Sequence, residues 1–585
     1  MGNAASQQTP GQFHDVALYQ AVIKDGSLEW NLFSDTVVPK FYDINEDIQD
    51  SPAEWHMEFE GSVEYPDVTV DSTTQFVPNE RKCVFQTGGE GDVTFWALGF
   101  PDQDMFAQFS QIFHGYLFEN TYQTQLNEDN IQKELGHLGG GASYAEETDE
   151  SRQHWVEDMD IDVPEPPPSG TPGSHTKDHV VAEKASDLRA IVMGGGDRSY
   201  LVGEGGIGVM KNTLHGLEDA NLDISFDRLS LGRTPVSTRR RSSIGAKSTP
   251  STNLSSCSKG MLMDHESKMN LFTPGSGSIY STDLESEKIL NEFSFKRNDV
   301  DVNVIDITSD SKSSQLDGTT TFLSLADNSI DRWDTRVKEG LVQTMASPVT
   351  LDFEGGRSYA SKPHFSCMAT SGQGYRAVGS KDGKIRLYND KVEQIAKTSI
   401  PGLGAPIDFI DVTYDGRWVL ATTKSFLIVI KTIYKEGSKE LCGFTSRLGQ
   451  KAPKPRLLML KPEDKVLTKN APFEKAKFTW ITDQNRKERY IVASCGNFTV
   501  QWNFRSVKIA KPDVITNGFT TITRCTLIPK SEHILDTTFM HDAYSSHGDP
   551  SLVVLTKQKV YNVEEDDDSD REEEEERDGP RRLNF

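Results

Sequence analysis

One stretch constrains this chain more than any other: Tyr375 to Tyr388, YRAVGSKDGKIRLY in one-letter code. It reads as strand, turn, strand. Ala377 to Ser380 is compact and suited to an extended backbone. Asp382 and Gly383 supply the positive φ that a two-residue hairpin turn needs. Ile385 and Leu387 then alternate with Lys384 and Arg386, which places apolar side chains on one face. This pattern predicts the central hairpin of a propeller blade.

The same phrase recurs in weaker form downstream of Asp187. Copies lie at Ala190–Met193 with Tyr200–Gly203 and Ile207–Met210, at Met269–Phe272 with Ser278–Tyr280, and at Thr321–Leu325 with Ser329–Asp334. Further copies lie at Trp418–Thr422 with Phe426–Ile430, at Tyr490–Ser494 with Phe498–Trp502, and at Leu552–Leu555 with Val560–Tyr561. That makes roughly seven units, near the ~40–50 residues of a four-stranded blade with insertions. Trp333-Asp334 closes a strand in the manner of the dipeptide that names one such repeat. No long helices are interleaved, which argues against an α/β fold. The expected fold class is mainly β: a roughly seven-bladed WD40-like propeller.

Upstream of the repeats the pattern differs. Residues 13–125 contain strand-like segments at Leu28–Phe33, Trp55–Phe59, Lys82–Phe85 and Val93–Leu98. Pro101-Asp102 then opens a helix with Phe106, Phe109, Phe113, Tyr116 and Leu117 on one face, widened by Met105 and Ile112. Strands closed by one amphipathic helix suit a small pleckstrin-homology-like β-barrel, with the aromatic stripe as its core. Arg81-Lys82 is its one basic pair in the early hairpins, too little for a phosphoinositide headgroup.

Composition divides the remainder. Residues 126–183 carry Gly139 to Gly141, an acidic run from Glu146 to Glu150, and a Pro-rich run from Pro164 to Pro172, and read as a linker. Residues 184–563 hold the repeats. A basic, Ser-rich insert at 232–259 and a Lys/Pro-rich stretch from Lys451 to Lys477 interrupt them. Residues 564–585 are an acidic tail, and 1–12 a polar one, both expected to stay disordered.

The net charge of −26 repels phosphate, so nucleic acid is not an expected partner. Six cysteines occur with no C-x-x-C pair, which predicts free thiols in a reducing compartment. No apolar run reaches the roughly 20 residues of a membrane helix, and no secretory signal is recognised. Gly203 to Gly208 matches G-x-G-x-x-G, but Ile207 to Met210 alternates like a strand, so a hairpin is expected rather than a nucleotide cradle. Asp299 to Asn303 lacks the glycine and closing glutamate of a calcium loop. The histidines, His541 among them, have no partners at metal-ligand spacing. With no nucleophile elbow and no Walker loop, neither a catalytic residue nor a metal, cofactor or small-molecule substrate is expected.

Three features suggest regulation. Gly2 in MGNAAS fits an N-myristoylation site. One such chain gives only marginal membrane affinity, and the basic patch Arg239, Arg240 and Arg241 is the candidate second signal. Ser242 and Ser243 follow those arginines as basophilic kinase acceptors, and Thr234 and Thr249 precede prolines. Phosphate at these sites offsets the positive charge and releases a membrane surface. The arginines have an alternative partner in the chain's own acidic tail.

Taken together, Asp331–Arg336, Ala377–Tyr388, Thr413–Ala421 and Ser278–Tyr280 with Asp283–Glu285 resemble the vacuolar import and degradation protein 27 family. Phe95–Phe118 is similar to the close of that family's pleckstrin-homology-like domain. The resemblance implies a cytoplasmic, non-enzymatic propeller protein linked to vacuolar import and degradation; with the propeller and Gly2 it gives the expected function, a scaffold or adaptor for other proteins in degradation or trafficking, peripheral to membranes through Gly2. The alternative is a histone-type chaperone or nuclear scaffold using the tail Glu564–Glu576.

Overall fold

The computed structural model describes residues 13–130, 176–227, 254–346, 364–448, 452–544 and 551–565, with short breaks inside those spans. From Leu188 onward, strands pair antiparallel with their successors in groups of four. The first blade runs from Leu188 to Ser225, the second from Lys259 to Ser294, the third from Val304 to Ala346 and the fourth from Phe365 to Ile400. The fifth runs from Phe409 to Leu458 and the sixth from Phe473 to Pro529. The seventh takes three strands from Ile534–Phe539, Leu552–Thr556 and Lys559–Glu565, and its fourth from Thr176–Glu183. Six of these are separate four-stranded sheets, and the fifth blade is the end of a larger thirteen-stranded sheet, which makes seven in all. The first strand of each blade touches that of the next, and the seventh touches the first, so the ring is closed.

Each blade is covered on both sides by its neighbours. Its middle strands are therefore buried on both faces and read as apolar runs, not as alternations. Trp418–Thr422 and Leu427–Lys431 are buried at every position. Two cores flank this blade. One holds Leu427, Val429 and Trp502, and the other Ile385, Leu387, Val419 and Ile428.

The Tyr375–Tyr388 hairpin is present, with a longer turn than expected. Gly379 pairs with Ile385, and Ser380 to Lys384 forms the connection. The Gly383 amide donates to the Ser380 carbonyl at 3.0 Å, and Gly383 has φ 77. A side chain there meets the Ala405 carbonyl oxygen of the following connection, 2.7 Å from an added Cβ. Gly203 to Gly208 is a hairpin, with Val202 opposite Ile207.

Two segments depart from the sequence reading. Thr176–Glu183, placed in the linker, is the outer strand of the seventh blade. The Lys/Pro-rich stretch after Lys451 is no insert. It supplies the fifth blade's outer strand, Arg456–Leu458, and a short helix, Pro462–Leu467. Arg456 is fully buried there and donates to the Ala510 carbonyl at 2.7 Å.

Ahead of the ring, Val16–Lys24, Ser27–Asp43, Trp55–Glu60 and Val68–Thr69 form one antiparallel run. Gln75–Val77, Lys82–Thr87 and Thr94–Gly99 form a second, joined to the first where Ala17 faces Gly99. Asp102 caps the helix Gln103–Tyr122 by accepting from the Met105 amide at 2.8 Å. Phe106, Phe109, Phe113 and Leu117 are buried in the core, with Met105, Ile112 and Tyr116 packed beside them. Each such burial contributes about 1.5–3 kcal/mol. The strands and closing helix are consistent with the expected small barrel.

All six cysteines are unpaired. Among the described residues no cluster of three His, Cys, Asp or Glu is placed to hold a metal. No described helix is long and apolar enough to cross a membrane.

Candidate functional site at the barrel–propeller joint

The antiparallel meander sends the connection between first and second strands of every blade to one face. On that face consecutive blades are linked by hydrogen bonds around the whole ring. Gly195 and Gly196 of the first blade donate to the Glu266 carboxylate of the second, at 2.7 and 3.0 Å. The Glu266 amide donates to the Gln315 carbonyl of the third blade at 3.1 Å, and the Lys312 amide to the Ser371 carbonyl of the fourth at 3.1 Å. Gly372 then donates to Tyr414 of the fifth blade at 2.8 Å. The Tyr414 amide donates to the Glu488 carboxylate of the sixth at 2.7 Å. Asp542 of the seventh donates to the Trp480 carbonyl at 3.2 Å, and the Tyr544 hydroxyl closes the circuit on the Gly196 carbonyl at 2.6 Å.

The third blade's connection also reaches past its neighbours. Gln315 Nε2 donates to the Met193 carbonyl of the first blade at 3.1 Å. Lys312 Nζ reaches Asp411 at 2.8 Å and the Val412 carbonyl at 2.6 Å in the fifth. This loop therefore crosses the mouth of the ring. Burial, reinforced by Asp415, pushes the Glu488 carboxyl up to about 7, against the pull of Lys312 and the Tyr414 amide.

The barrel is fixed elsewhere. A hairpin, Val514–Thr516 with Phe519–Ile522, leaves the sixth blade and bridges two sheets. Its first strand pairs antiparallel with the barrel, Ile515 opposite Phe76 and Thr516 opposite Gln75. Its second pairs parallel with the fifth blade's edge, Thr521 beside Leu457 and Ile522 beside Leu458. Ile515 packs on the barrel core, while Phe519 and Ile522 pack on two propeller cores. Asn517 and Gly518, with φ 50 and 75, form its turn. The barrel helix ends against the connection between the fourth and fifth blades, where the Tyr122 hydroxyl donates to the Gly402 carbonyl at 2.5 Å. That connection belongs to the face opposite the hydrogen-bonded circuit.

A cleft of about 230 Å³ opens at this joint. Its lining combines Gln86 of the barrel, Lys424 and Ser425 of a fifth-blade turn, and Lys465, Thr468 and Asn470 of the passage to the sixth blade. Lys465 is buried, and its ammonium donates to Gln86 Oε1 at 3.2 Å and lies 6.0 Å from the centre of the Phe95 ring. Burial pulls its pKa down to about 8, opposed by the charge of Asp71.

Gly2, Thr234, Arg239, Arg240, Arg241, Ser242, Ser243 and Thr249 lie outside the described residues, as does the chain beyond Glu565. Their described flanks are informative. Ser225 ends an outer strand and Lys259 begins the next blade's first strand, so these two described ends lie at the barrel-side face. Glu565 ends a third strand and lies at the opposite face. The joint residues were missed in the sequence, although Asn517-Gly518 is a strong hairpin signal.

The family model described as the VID27 C-terminal WD40-like domain matches residues 189–516, more than half of the 585-residue chain. A Schizosaccharomyces pombe protein named Vacuolar import and degradation protein 27 is 34% identical over 325 residues, covering 53% of this chain and 36% of that protein. The Saccharomyces cerevisiae protein of the same name is 30% identical over 236 residues, covering 39% of this chain and 28% of that protein. The matched segments thus span about a third of the length of these curated relatives. A solved structure titled "Crystal Structure of Mitotic Checkpoint Complex" aligns at a TM-score of 0.38 and 10% identity, over 70% of this chain and 98% of that one, too loosely to bear on function.

Proposed function

The chain belongs to the VID27 family, and from that premise we propose that it is a non-enzymatic protein–protein scaffold serving vacuolar import and degradation of other proteins. The names of the two relatives support the pathway. The observation that carries the scaffold role is the hairpin Val514–Ile522, whose side chains enter the cores of both domains. It docks the barrel against the propeller, whose rigid presentation of loops needs no catalytic chemistry.

In this reading the protein works in the cytoplasm at membrane surfaces. Myristate on Gly2 supplies one contact, and Arg239 to Arg241 supply the second. Phosphorylation of Ser242 or Ser243, with Thr234 and Thr249 as proline-directed sites, weakens the second contact.

Proximity labelling in cells, with the full chain and its Gly2→Ala variant, tests the proposal. Recovery of membrane-bound transport or degradation proteins, reduced by Gly2→Ala, is the expected result. Salt-sensitive recovery of histones, unchanged by Gly2→Ala and dependent on Glu564–Glu576, would instead make the chain an acidic-tailed chaperone.

A further inference from the structure

We infer that the cleft at the barrel–propeller joint is a binding site for a small oxyanion, a phosphate or carboxylate compound held between Lys424 and Lys465. The chain as a whole repels such a ligand, with 88 acidic residues against 62 basic ones. The cleft lining reverses that balance, holding two lysines and no acidic side chain.

Lys465 is the central observation. It is 6% exposed, yet its ammonium faces a neutral amide oxygen and an aromatic ring. A desolvated cation with only neutral acceptors is unfavourable, and an anion beside it relieves that cost. The charge of Asp71 offsets part of that cost, while its Oδ1 accepts from the Thr73 amide and hydroxyl at 2.8 and 2.6 Å rather than from the ammonium. Ser425 and Asn470 line the same space and bring a hydroxyl and an amide as donors to an oxyanion, while the Thr468 hydroxyl donates to the Lys465 carbonyl at 3.2 Å. A cleft of about 230 Å³ admits a phosphate monoester or a small polycarboxylate and excludes a folded partner.

Three parts of the molecule share the lining. Binding therefore selects the docked arrangement of barrel and propeller, because the site is incomplete when they separate. The ligand acts as a clamp on the scaffold.

The full chain is treated with acetic anhydride at pH 8, alone and with saturating inorganic phosphate or citrate, and lysine acetylation is mapped by mass spectrometry. Either anion is expected to lower acetylation of Lys465 several-fold while leaving exposed lysines unchanged. Calorimetric titration with the protecting anion is expected to show about tenfold weaker binding in Lys424→Ala, the loss of one charge-assisted hydrogen bond. Lys424 is exposed, so this variant keeps its fold, which thermal unfolding checks. Lys465→Met, matched in length, abolishes the binding. Failure of both anions to protect Lys465, or undiminished affinity in Lys424→Ala, overturns the assignment.

Discussion

Among the described residues a distant segment twice completes the edge of a sheet, and the two seams differ in length. Thr176–Glu183 closes the ring on the seventh blade through seven aligned residue pairs, from Lys559 with Glu183 to Glu565 with Thr176. The barrel is joined through two pairs on its own side and two on the fifth blade's side. Backbone pairing and buried contacts both scale with ladder length. The ring seam should therefore open only with global unfolding, and the barrel seam earlier, as a local event. A molecule built in this way keeps the propeller loops fixed while the barrel remains able to detach.

The largest effect should come from breaking the ring seam. Ala182 is buried in the core shared by the first and seventh blades. Ala182→Asp places an uncompensated charge there and should cost about 3–5 kcal/mol, read as a lowered denaturant midpoint of the whole propeller. A midpoint equal to wild type would mean that the segment does not close the ring.

A smaller loss is expected from the hydrogen-bonded circuit. Glu266→Ala leaves the Gly195 and Gly196 amides without their acceptor and should cost about 2–3 kcal/mol. Its thermal transition should remain that of the propeller as a whole. Unchanged stability would show that the blades are held without this link.

Glu488 makes the same face pH-dependent. Its carboxyl titrates at about 7 in the fold, against an ordinary value of 4.5. Between those values the folded chain keeps a proton that the unfolded chain has released. The stability it contributes is full below the lower value and is lost as pH rises through the higher one. Glu488→Gln should therefore gain on wild type as pH rises, by about 3 kcal/mol above neutrality, with no gain at pH 4. Parallel stability–pH curves for the two proteins would contradict this.

The smallest effect on the propeller is expected at the barrel seam. Ile515→Asp should lower propeller stability by under about 1 kcal/mol. In the same variant the scattering radius should rise and protease cleavage between the domains should quicken. A large drop in propeller stability would make the two seams equivalent.

What the sequence revealed follows from where burial is two-sided. The middle strands of each blade, such as Trp418–Thr422, are apolar throughout because both faces are covered, so the seven copies could be read. Thr176–Glu183 could not, since Val180 is 52% exposed and Ala182 is the buried apolar residue that remains to mark it. Arg456 misled in another way. A fully buried arginine that donates to a backbone carbonyl looks, in a Lys/Pro-rich stretch, like part of a solvated insert. Lys465 is hidden for the same reason, because nothing local separates a buried lysine from its exposed neighbours. The Asn517-Gly518 turn was legible, but its pairing with the barrel was not, since it joins Ile515 to Phe76 across most of the chain.

Native-state amide hydrogen exchange tests the central claim most directly, by comparing the two seams in one experiment. The amides of Thr176–Glu183 that bond to the Lys559–Glu565 strand should exchange only through global unfolding, as slowly as those of Leu552–Thr556 in the same blade. Those of Gln75–Val77 and Val514–Thr516 should open at a distinctly lower free energy, together with one another. Rapid exchange throughout Thr176–Glu183, with protection kept at the barrel seam, would contradict the account.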